Sequence, residues 1–229
     1  MFVIFINDIC DTIRDCSVKL FADDVKLYLD ISCNNYSLIL PEAITSFHYW
    51  ANEWQLEISY NKCQVLHLGA QHQHANYHLG NFVLSTTSCA KDLGLIVEFK
   101  LNFKSLYTDV YVRASQRSAL ILHSFTSRDS KLLTKAFCTY VRPILEYGSS
   151  IWSPVYQSDI HKLEYMQKHL TKRLDGISNF NYTERLKRLG IDTLEKRRLY
   201  CDLNLCYKML HGHSTLVFTD YFIIHNSNT

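Results

Sequence analysis

Glycine, proline and long apolar runs are scarce in this sequence. Its 229 residues include only 7 Gly and 3 Pro, which excludes collagen-like and proline-rich low-complexity chains. No run approaches the roughly 18–20 consecutive apolar residues of a membrane-spanning helix. The short apolar start, Met1–Ile6, lacks the basic region of a signal peptide and is followed at once by Asn7 and Asp8. We therefore expect an intracellular protein, cytoplasmic or nuclear, with no membrane segment.

Disulfide and metal signatures are missing as well. The eight cysteines form no Cys-x-x-Cys pair, so the spacing of a zinc ribbon is absent. A chain of this length can build a hydrophobic core without disulfides, and we expect reduced thiols. His72, His74 and His78 have no carboxylate or cysteine close by. We interpret their tract as a polar loop rather than a metal site.

An ordinary globular composition and an uneven charge distribution are what the sequence does contain. Apolar residues make up 47% of the chain, whose length suits one large domain or two small ones. Residues 1–100 carry 6 Lys and Arg against 11 Asp and Glu, a net charge of −5. Residues 101–229 carry 18 against 11, a net charge of +7. This division suggests cation binding and polyanion binding; chance segregation of surface charge is the alternative.

Strand and helix patterns mix in the first half, whereas the second half is helical. The first half predicts a β-hairpin over Ser17–Ile31, an amphipathic helix over 40–56 with Pro41 in its first turn, a strand over 56–68 with a turn at Asn61-Lys62, and short strands over 77–103 with turns at Gly80-Asn81 and Gly94. The second half predicts helices over 104–125, 129–147 with a kink near Pro143, and 156–174, then two helices that begin at Asn181-x-x-Glu184 and Asp192-x-x-Glu195 and end at Gly190 and Gly212. This order predicts an α+β fold.

The sharpest single feature is the acidic tip of the predicted hairpin. Asp23 and Asp24 are adjacent carboxylates between two apolar strands, a position that a cation or water must neutralise. Phosphoryl and nucleotidyl transfer use such carboxylates to hold two Mg²⁺ ions about 3.5–4 Å apart. A solvated turn is the alternative interpretation.

Short motifs on both sides of this tip resemble a known family. The segments are Phe5-Ile6-Asn7-Asp8-Ile9, Leu20-Phe21-Ala22-Asp23-Asp24 with Lys26-Leu27-Tyr28, Trp50 and Trp54 with Leu56, Lys62-Cys63 with Leu66-His67-Leu68-Gly69, Lys91-Asp92-Leu93-Gly94, Val141-Arg142-Pro143-Ile144-Leu145-Glu146-Tyr147-Gly148 with Ile151-Trp152-Ser153-Pro154, Leu163-Glu164 with Gln167 and Thr171-Lys172-Arg173, Tyr182 with Glu184-Arg185-Leu186, and Leu194-Glu195 with Arg197-Arg198. In this order, over residues 2–212, they resemble the late palm and the thumb of reverse transcriptases of non-LTR (LINE-type, jockey-like) retrotransposons.

The resemblance implies an RNA-directed DNA polymerase, a nucleotidyltransferase that uses Mg²⁺ and dNTPs on an RNA template with a primer duplex. Asp23 would be a ligand of catalytic Mg²⁺, and Asp24 would be a neighbouring carboxylate with a supporting role. Lys62 would donate a proton to the leaving pyrophosphate or contact phosphate; a turn lysine is the alternative. Gly80 and Leu93-Gly94 would lie in strands that grip the primer.

The same resemblance implies a nucleic-acid-binding role for the basic half, residues 101–229, and a domain organisation for the whole chain. Nine cations on the predicted thumb helices would contact the template–primer backbone without reading its sequence, and a solvated helix face is the alternative. They are Lys168, Lys172, Arg173, Arg185, Lys187, Arg188, Lys196, Arg197 and Arg198. The implied domains are late palm with the acidic hairpin over 1–70, primer-grip-like strands over 71–103, a helical thumb over 104–212 and a loose tail over 213–229.

One part of the family pattern is missing from the sequence. The palm of the family completes its metal site with a further aspartate on an upstream strand, and no Asp before Asp23 has those flanks. We therefore expect a C-terminal piece of a reverse transcriptase that begins at an internal methionine and is inactive alone. The alternatives are a non-catalytic module that binds RNA or RNA–DNA duplex, and a gene remnant without a selected function.

Overall fold

The chain divides into two compact units, Met1–Asn102 and Phe103–Thr229. We describe a computed structural model over residues 6–30, 36–69 and 75–223. Helices and small two-stranded sheets together confirm the α+β class. Residues His72 and His74 of the predicted polar loop lie outside the described ranges.

The first unit combines two helices with four small sheets. Its elements are α1 (Ile9–Thr12), β1 (Ser17–Phe21), β2 (Asp24–Tyr28), α2 (Tyr36–Glu53), a 3₁₀ turn (Tyr60–Lys62), β3 (Gln64–Leu66), β4 (His78–Leu79), β5 (Phe82–Val83), β6 (Ser85–Thr87), β7 (Cys89–Asp92) and β8 (Leu95–Glu98). Strands β1 and β2, β4 and β5, and β7 and β8 pair antiparallel, whereas β3 and β6 pair parallel.

The predicted hairpin is confirmed, and its alternation decides which face is buried. Val18, Leu20, Val25 and Leu27 are half-buried and pack against a core that includes Trp50. The intervening residues of both strands are exposed, as the two-residue period of a strand requires. The hairpin therefore covers the core with one face and turns its polar face outward.

Two boundaries in this unit differ from the prediction. Helix α2 begins by Tyr36, which places Pro41 inside the helix rather than in its first turn. Proline cannot donate the bond to the carbonyl four residues earlier, which is that of Ser37, an exposed residue that water reaches. The strand predicted over 56–68 shortens to β3, because the preceding residues form the 3₁₀ turn.

The second unit is all helical apart from its loops. Its elements are α3 (Lys104–Ser124), α4 (Ser130–Tyr140), α5 (Arg142–Glu146), α6 (Ser149–Trp152), α7 (Gln157–Thr171), α8 (Tyr182–Leu189), α9 (Leu194–Leu210) and a 3₁₀ turn (Phe218–Asp220). The predicted kink near Pro143 is confirmed as a break between α4 and α5. Large side chains from these helices form the core. They include Leu106, Leu133, Phe137, Leu145, Trp152, Leu163, Leu170 and Leu194.

Helix caps in this unit follow the sequence with one exception. The Asn181 side chain accepts a hydrogen bond from the Glu184 amide at 2.9 Å, and α8 ends at Gly190 with a φ of 64°. The cap of α9 is Thr193 rather than Asp192: its hydroxyl accepts from the Lys196 amide at 3.1 Å. Asp192 instead forms an ion pair with the Lys196 ammonium at 2.8 Å. The prediction that Asp192 caps α9 was therefore wrong by one residue.

The described residues contain free thiols and no helix suited to a membrane. Seven cysteines in the described ranges are free. Within residues 6–30, 36–69 and 75–223, no helix combines the length and apolar character that a membrane crossing requires.

Candidate nucleic-acid interface and acidic hairpin tip

The acidic tip lies on the solvent side of the first unit. Asp23 occupies the two-residue turn between β1 and β2, and Asp24 begins β2 opposite Phe21. Both carboxylates and Phe21 are exposed. Ala22, the other turn residue, has a φ of +52°, a left-handed conformation that costs a residue with a Cβ about 1–2 kcal/mol.

The described residues do not by themselves fit a two-Mg²⁺ centre. Within these ranges, no group of three or more His, Cys, Asp or Glu side chains could hold a metal ion. Two adjacent carboxylates on one hairpin supply too few ligands for two hard cations that each need about six oxygens. Asp23 and Asp24 could supply only part of a shared site.

A second turn lies against the exposed face of the hairpin. The Lys26 ammonium of β2 forms an ion pair with the Asp92 carboxylate at the end of β7. On that face Lys26 stands directly opposite Lys19, a like-charge pairing that is unfavourable and that Asp92 offsets. The turn after Asp92, at Leu93 and Gly94, is therefore held beside the acidic hairpin.

The conformation of this second turn is unusual. Leu93 and Gly94 both have positive φ angles, 45° and 84°, as the central residues of a type I′ turn require. Leu93 is 44% exposed in spite of its apolar side chain. A bulky residue in the left-handed region costs free energy, so an apolar side chain presented at this tip is a candidate contact for a ligand.

Gly80 has a packing explanation of its own. It occupies the turn between β4 and β5 with a φ of +59°, and a Cβ added there would lie 2.8 Å from Nε2 of His48. The His48 ring is held from both sides, because Nε2 lies 3.3 Å from the Tyr60 hydroxyl and Nδ1 lies 3.3 Å from the Asn52 amide. Only glycine fits this position without a shift.

Lys62 and Asp8 are two polar residues of the motif segments, one exposed and one that bonds a buried side chain. Lys62 is exposed at the end of the 3₁₀ turn, where its amide donates to the Ser59 carbonyl at 2.9 Å. The Asp8 carboxylate accepts a hydrogen bond from the Trp50 indole at 3.0 Å. Asp8 therefore anchors a core tryptophan, a role that the sequence pattern did not reveal.

The nine cations assigned to nucleic acid contact separate into three groups. Lys172, Arg173, Lys187, Arg188 and Lys196 are exposed. Lys168 and Arg197 are half-buried. Arg185 and Arg198 are 5% and 2% exposed, so neither guanidinium is at the surface where a phosphate backbone could reach it.

The Arg185 side chain forms hydrogen bonds inside the second unit. Its Nε donates to the Thr171 hydroxyl at 3.2 Å, and its Nη1 donates to the Phe180 carbonyl at 2.7 Å. Its Nη2 lies 3.4 Å from the Lys168 carbonyl. The side chain thus bonds two residues at the end of α7 and one carbonyl of the following loop, and it ties that helix to α8.

The buried carboxylate of Glu164 accepts hydrogen bonds from two neighbouring helices. Glu164 on α7 is 5% exposed, and its Oε2 accepts from the Leu194 amide at 2.9 Å and the Glu195 amide at 3.3 Å. It also accepts from the Tyr182 hydroxyl. Burial, followed by this hydrogen bond, raises the pKa of Tyr182 far above its usual value. A carboxylate at the positive end of α9 stabilises that helix start.

Gln167 and Arg198 complete the buried polar set. The Gln167 amide donates to the Tyr182 hydroxyl at 2.9 Å and to the Asp192 carbonyl at 3.0 Å. Burial lowers the pKa of the Arg198 guanidinium, while the charge of Glu164 acts in the opposite direction. One sequence signal could have identified this network: Glu164, Gln167 and Thr171 share helical spacing with the apolar stripe of α7, so they face the core.

Ion pairs neutralise two further cations of the set. Arg197 bonds the Glu146 carboxylate through Nε and, at 3.0 Å, through Nη2. Lys196 pairs with Asp192, which precedes the cap of the same helix. Both cations are therefore less available to an external anion than the sequence suggested.

Five cations remain, and we call them the basic surface. They are Lys168, Lys172, Arg173, Lys187 and Arg188. They lie at the C-terminal ends of α7 and α8, where the helix dipole favours positive charge. The Lys168 ammonium lies 5.2 Å from the Tyr182 ring centroid and the Arg188 guanidinium lies 3.8 Å from that of Phe180. Among the described residues, no carboxylate forms an ion pair with any of the five.

Comparison with known proteins gives three relatives at low identity. An uncharacterized protein of Caenorhabditis elegans is 27% identical over 124 residues, which cover 53% of this chain and 63% of the worm protein. A probable RNA-directed DNA polymerase from transposon X-element of Drosophila melanogaster is 23% identical over 168 residues, which cover 70% of this chain. The RNA-directed DNA polymerase from mobile element jockey of Drosophila funebris is 24% identical over 166 residues, which cover 69% of this chain.

This chain matches only a small part of each of the two polymerases. The matched region spans 18% of the length of each polymerase. No protein-family model matches the chain, and no solved structure matches it. The similarities support a distant relationship between this chain and the RNA-directed DNA polymerases of mobile elements.

Proposed function

We propose that this chain corresponds to the late palm and the thumb of a non-LTR retrotransposon reverse transcriptase, and that by itself it binds template–primer duplex without polymerising. In this proposal residues 1–70 are late palm, 71–103 carry the primer-grip-like turns, 104–212 are the thumb and 213–229 are a tail. The distant relationship to polymerases of mobile elements supports the lineage.

The observation that carries duplex binding is the basic surface. Five cations at the C-terminal ends of two consecutive helices, with no carboxylate paired to them among the described residues, would form a site for a polyanion. Such contacts neutralise phosphates regardless of base sequence. Arg185 and Arg198 are buried, and the proposal therefore does not include them in the basic surface.

The palm half of the proposal assigns roles to the two turns. Asp23 and Asp24 would contribute carboxylates to a Mg²⁺ site that needs further ligands, with Lys62 near the pyrophosphate of a dNTP. Leu93 and Gly94 would contact the primer from the turn that Asp92 holds beside the hairpin. Gly80 would then be a packing residue of the same region rather than a primer contact.

Duplex binding can be tested by neutralising two cations that no other proposal uses. Lys187→Gln with Arg188→Gln should weaken binding of an RNA–DNA duplex and lower the slope of log affinity against log salt by roughly one per lost phosphate contact. Fluorescence anisotropy over a salt series measures both. Arg117→Gln with Lys208→Gln is the matched control, since both residues are exposed in the same unit and outside the basic surface. Binding that does not depend on salt would contradict the proposal, as would equal losses in both double variants.

Inactivity is tested by primer extension on an RNA template with Mg²⁺ and dNTPs. We expect no extension, because the described residues offer only Asp23 and Asp24 as adjacent ligands. Extension that Asp23→Ala abolishes would show a complete metal site and refute this half of the proposal.

A further inference from the structure

The second unit contains a groove that is lined mostly by residues outside the basic surface. It runs between α3 and α7 and has a volume of about 490 Å³. Tyr111 and Tyr165 line its walls, and Ser118 lies among its lining residues from α3. A groove of this size between two helices is large enough for a small ligand.

Two polar atoms in this groove have no hydrogen-bond partner among the described residues. Ser118 is 2% exposed and its Oγ is unpartnered, as is Nδ1 of His169, which is half-buried on α7. Buried polar atoms are nearly always hydrogen-bonded, because leaving one unpaired costs free energy. Both atoms belong to residues that line the groove, so each leaves a hydrogen bond unmade at its wall.

The charge of the groove has one sign. Arg173 lines one end, with His123 from the facing helix, and no carboxylate is among the lining residues. The Arg173 Nη1 donates to the His169 carbonyl at 3.2 Å, which holds the guanidinium at the groove. Burial, together with the charge of Arg173, lowers the pKa of His169. This shift favours the neutral ring, whose Nδ1 accepts or donates a hydrogen bond according to the tautomer.

Aromatic walls, unpartnered hydrogen-bonding atoms and a cationic end together match one class of ligand. We propose that this groove binds a single nucleotide of an unpaired nucleic acid strand, with the base against the tyrosine walls and the phosphate at Arg173. Bases stack on aromatic side chains regardless of sequence. A paired base inside a duplex has its hydrogen-bonding edge and both of its faces occupied, so the groove favours a single strand over a duplex.

The proposal goes beyond duplex binding by the basic surface and does not depend on it. Ser118 and the tyrosines lie outside that surface, and Arg173 alone belongs to both. Adenosine 5′-monophosphate, titrated into the full chain, is a probe that reports the groove without engaging a duplex site. Isothermal titration calorimetry or saturation-transfer NMR measures its binding.

Blocking the groove is the first arm of the test. Ala119→Trp places a large ring at an exposed position that lines the groove and should abolish binding of the nucleotide. Leu120→Trp is the matched control: Leu120 is the next residue on α3, is 55% exposed and does not line the groove. Binding that survives Ala119→Trp, or no binding to the unaltered chain, would overturn the proposal.

Removing the hydroxyl is the second arm. Ser118→Ala should weaken nucleotide binding about two- to tenfold, the effect of one neutral hydrogen bond, while it raises the melting temperature because an unpaired polar atom leaves the interior. A higher melting temperature with unchanged binding would assign Ser118 to packing alone and contradict its place in the site. If inorganic phosphate at the same concentration displaced the nucleotide, the site would bind only the phosphate group. That result would refute the proposed contact with the base.

The two proposals fail independently. If Lys187→Gln with Arg188→Gln leaves duplex binding intact while Ala119→Trp removes nucleotide binding, the basic surface is wrong and the groove stands. If the nucleotide does not bind while the duplex does so with a steep salt dependence, the groove is wrong and the proposed function stands.

Discussion

The two units place their polar groups and their backbone strain in opposite ways. In the first unit the candidate carboxylates are exposed at turns, and non-glycine residues such as Ala22 and Leu93 adopt positive φ angles. In the second unit a carboxylate, an amide and two guanidinium groups are buried between helices. Among its described residues, up to residue 223, the positive φ angles belong to glycines, apart from Phe103 at the start of the unit. They are at Gly148, Gly176, Gly190 and Gly212.

This difference teaches where each unit is sensitive to change. Each unpaired polar atom in a buried network costs free energy. Gln167 Oε1 and both Nη atoms of Arg198 have no hydrogen-bond partner among the described residues, so the second unit depends on the few side chains that do form these bonds. The first unit has small sheets and turns whose residues fit their backbone poorly, so it depends on turn conformation. Substitutions in the two units should therefore differ in the size and the sign of their effect on stability.

The largest effect is expected at Glu164 in the second unit. Glu164→Ala removes the acceptor of the Leu194 and Glu195 amides and of the Tyr182 hydroxyl, and we expect a loss of about 3 kcal/mol in the free energy of unfolding. Urea denaturation followed by the fluorescence of Trp152, the one tryptophan of this unit, measures it. Glu184→Ala, at an exposed position in the first turn of α8, should cost only a few tenths of a kcal/mol. Equal losses would show that the buried network is not what stabilises the unit.

An intermediate effect is expected at Gly80 in the first unit. Gly80→Ala combines a left-handed backbone with a Cβ that meets the His48 ring, and we expect a loss of about 2 kcal/mol. Gly69→Ala is the matched control, because Gly69 has a φ of +95° but an added methyl group there would have nothing within 4 Å; it should cost about 1 kcal/mol. The loss is read from urea denaturation followed by Trp50 and Trp54 fluorescence. If Gly80→Ala were no worse than Gly69→Ala, close packing against His48 would not be the reason for glycine.

The smallest effect, and the one of opposite sign, is expected at Leu93. Leu93→Asn should stabilise the first unit by about 1 kcal/mol, because Asn-Gly suits a type I′ turn and Leu does not. Thermal unfolding of the two proteins measures the gain. Leu68→Asn, at another exposed leucine of this unit, serves as the control for loss of apolar surface. A Leu93→Asn protein that is less stable than the original would show that the leucine side chain contributes packing that outweighs the strain of the turn.

Local patterns predicted the elements more reliably than their ends. The hairpin, the helical second half and the break near Pro143 follow from residue periodicity and from proline chemistry, which act over a few residues. The start of α2 and the length of β3 differ from the prediction because tertiary packing extends a helix through a proline and stops a strand early. The cap at Thr193 differs from the predicted Asp192 because both residues can accept the bond and only the path of the chain selects one.

The candidate site was predicted unevenly for a related reason. Asp23 and Asp24 were placed at a hairpin tip from sequence alone, and the structure has them there. Arg185 and Arg198 were assigned to nucleic acid contact from the charge of the basic half and the family resemblance, yet both are buried in the second unit. The charge of a residue does not predict whether its side chain is buried, because burial depends on which helix faces pack together.

The sequence by itself determined the α+β class, the acidic tip and the division of charge between the two halves, because each depends on composition or on spacing along a few turns of chain. The tertiary structure alone decided which cations reach solvent, that Glu164 closes the start of α9, that Asp92 meets Lys26, and that a groove opens between α3 and α7. Those features join residues far apart in sequence, and only the packing of elements brings such residues within the distance at which hydrogen bonds and ion pairs form.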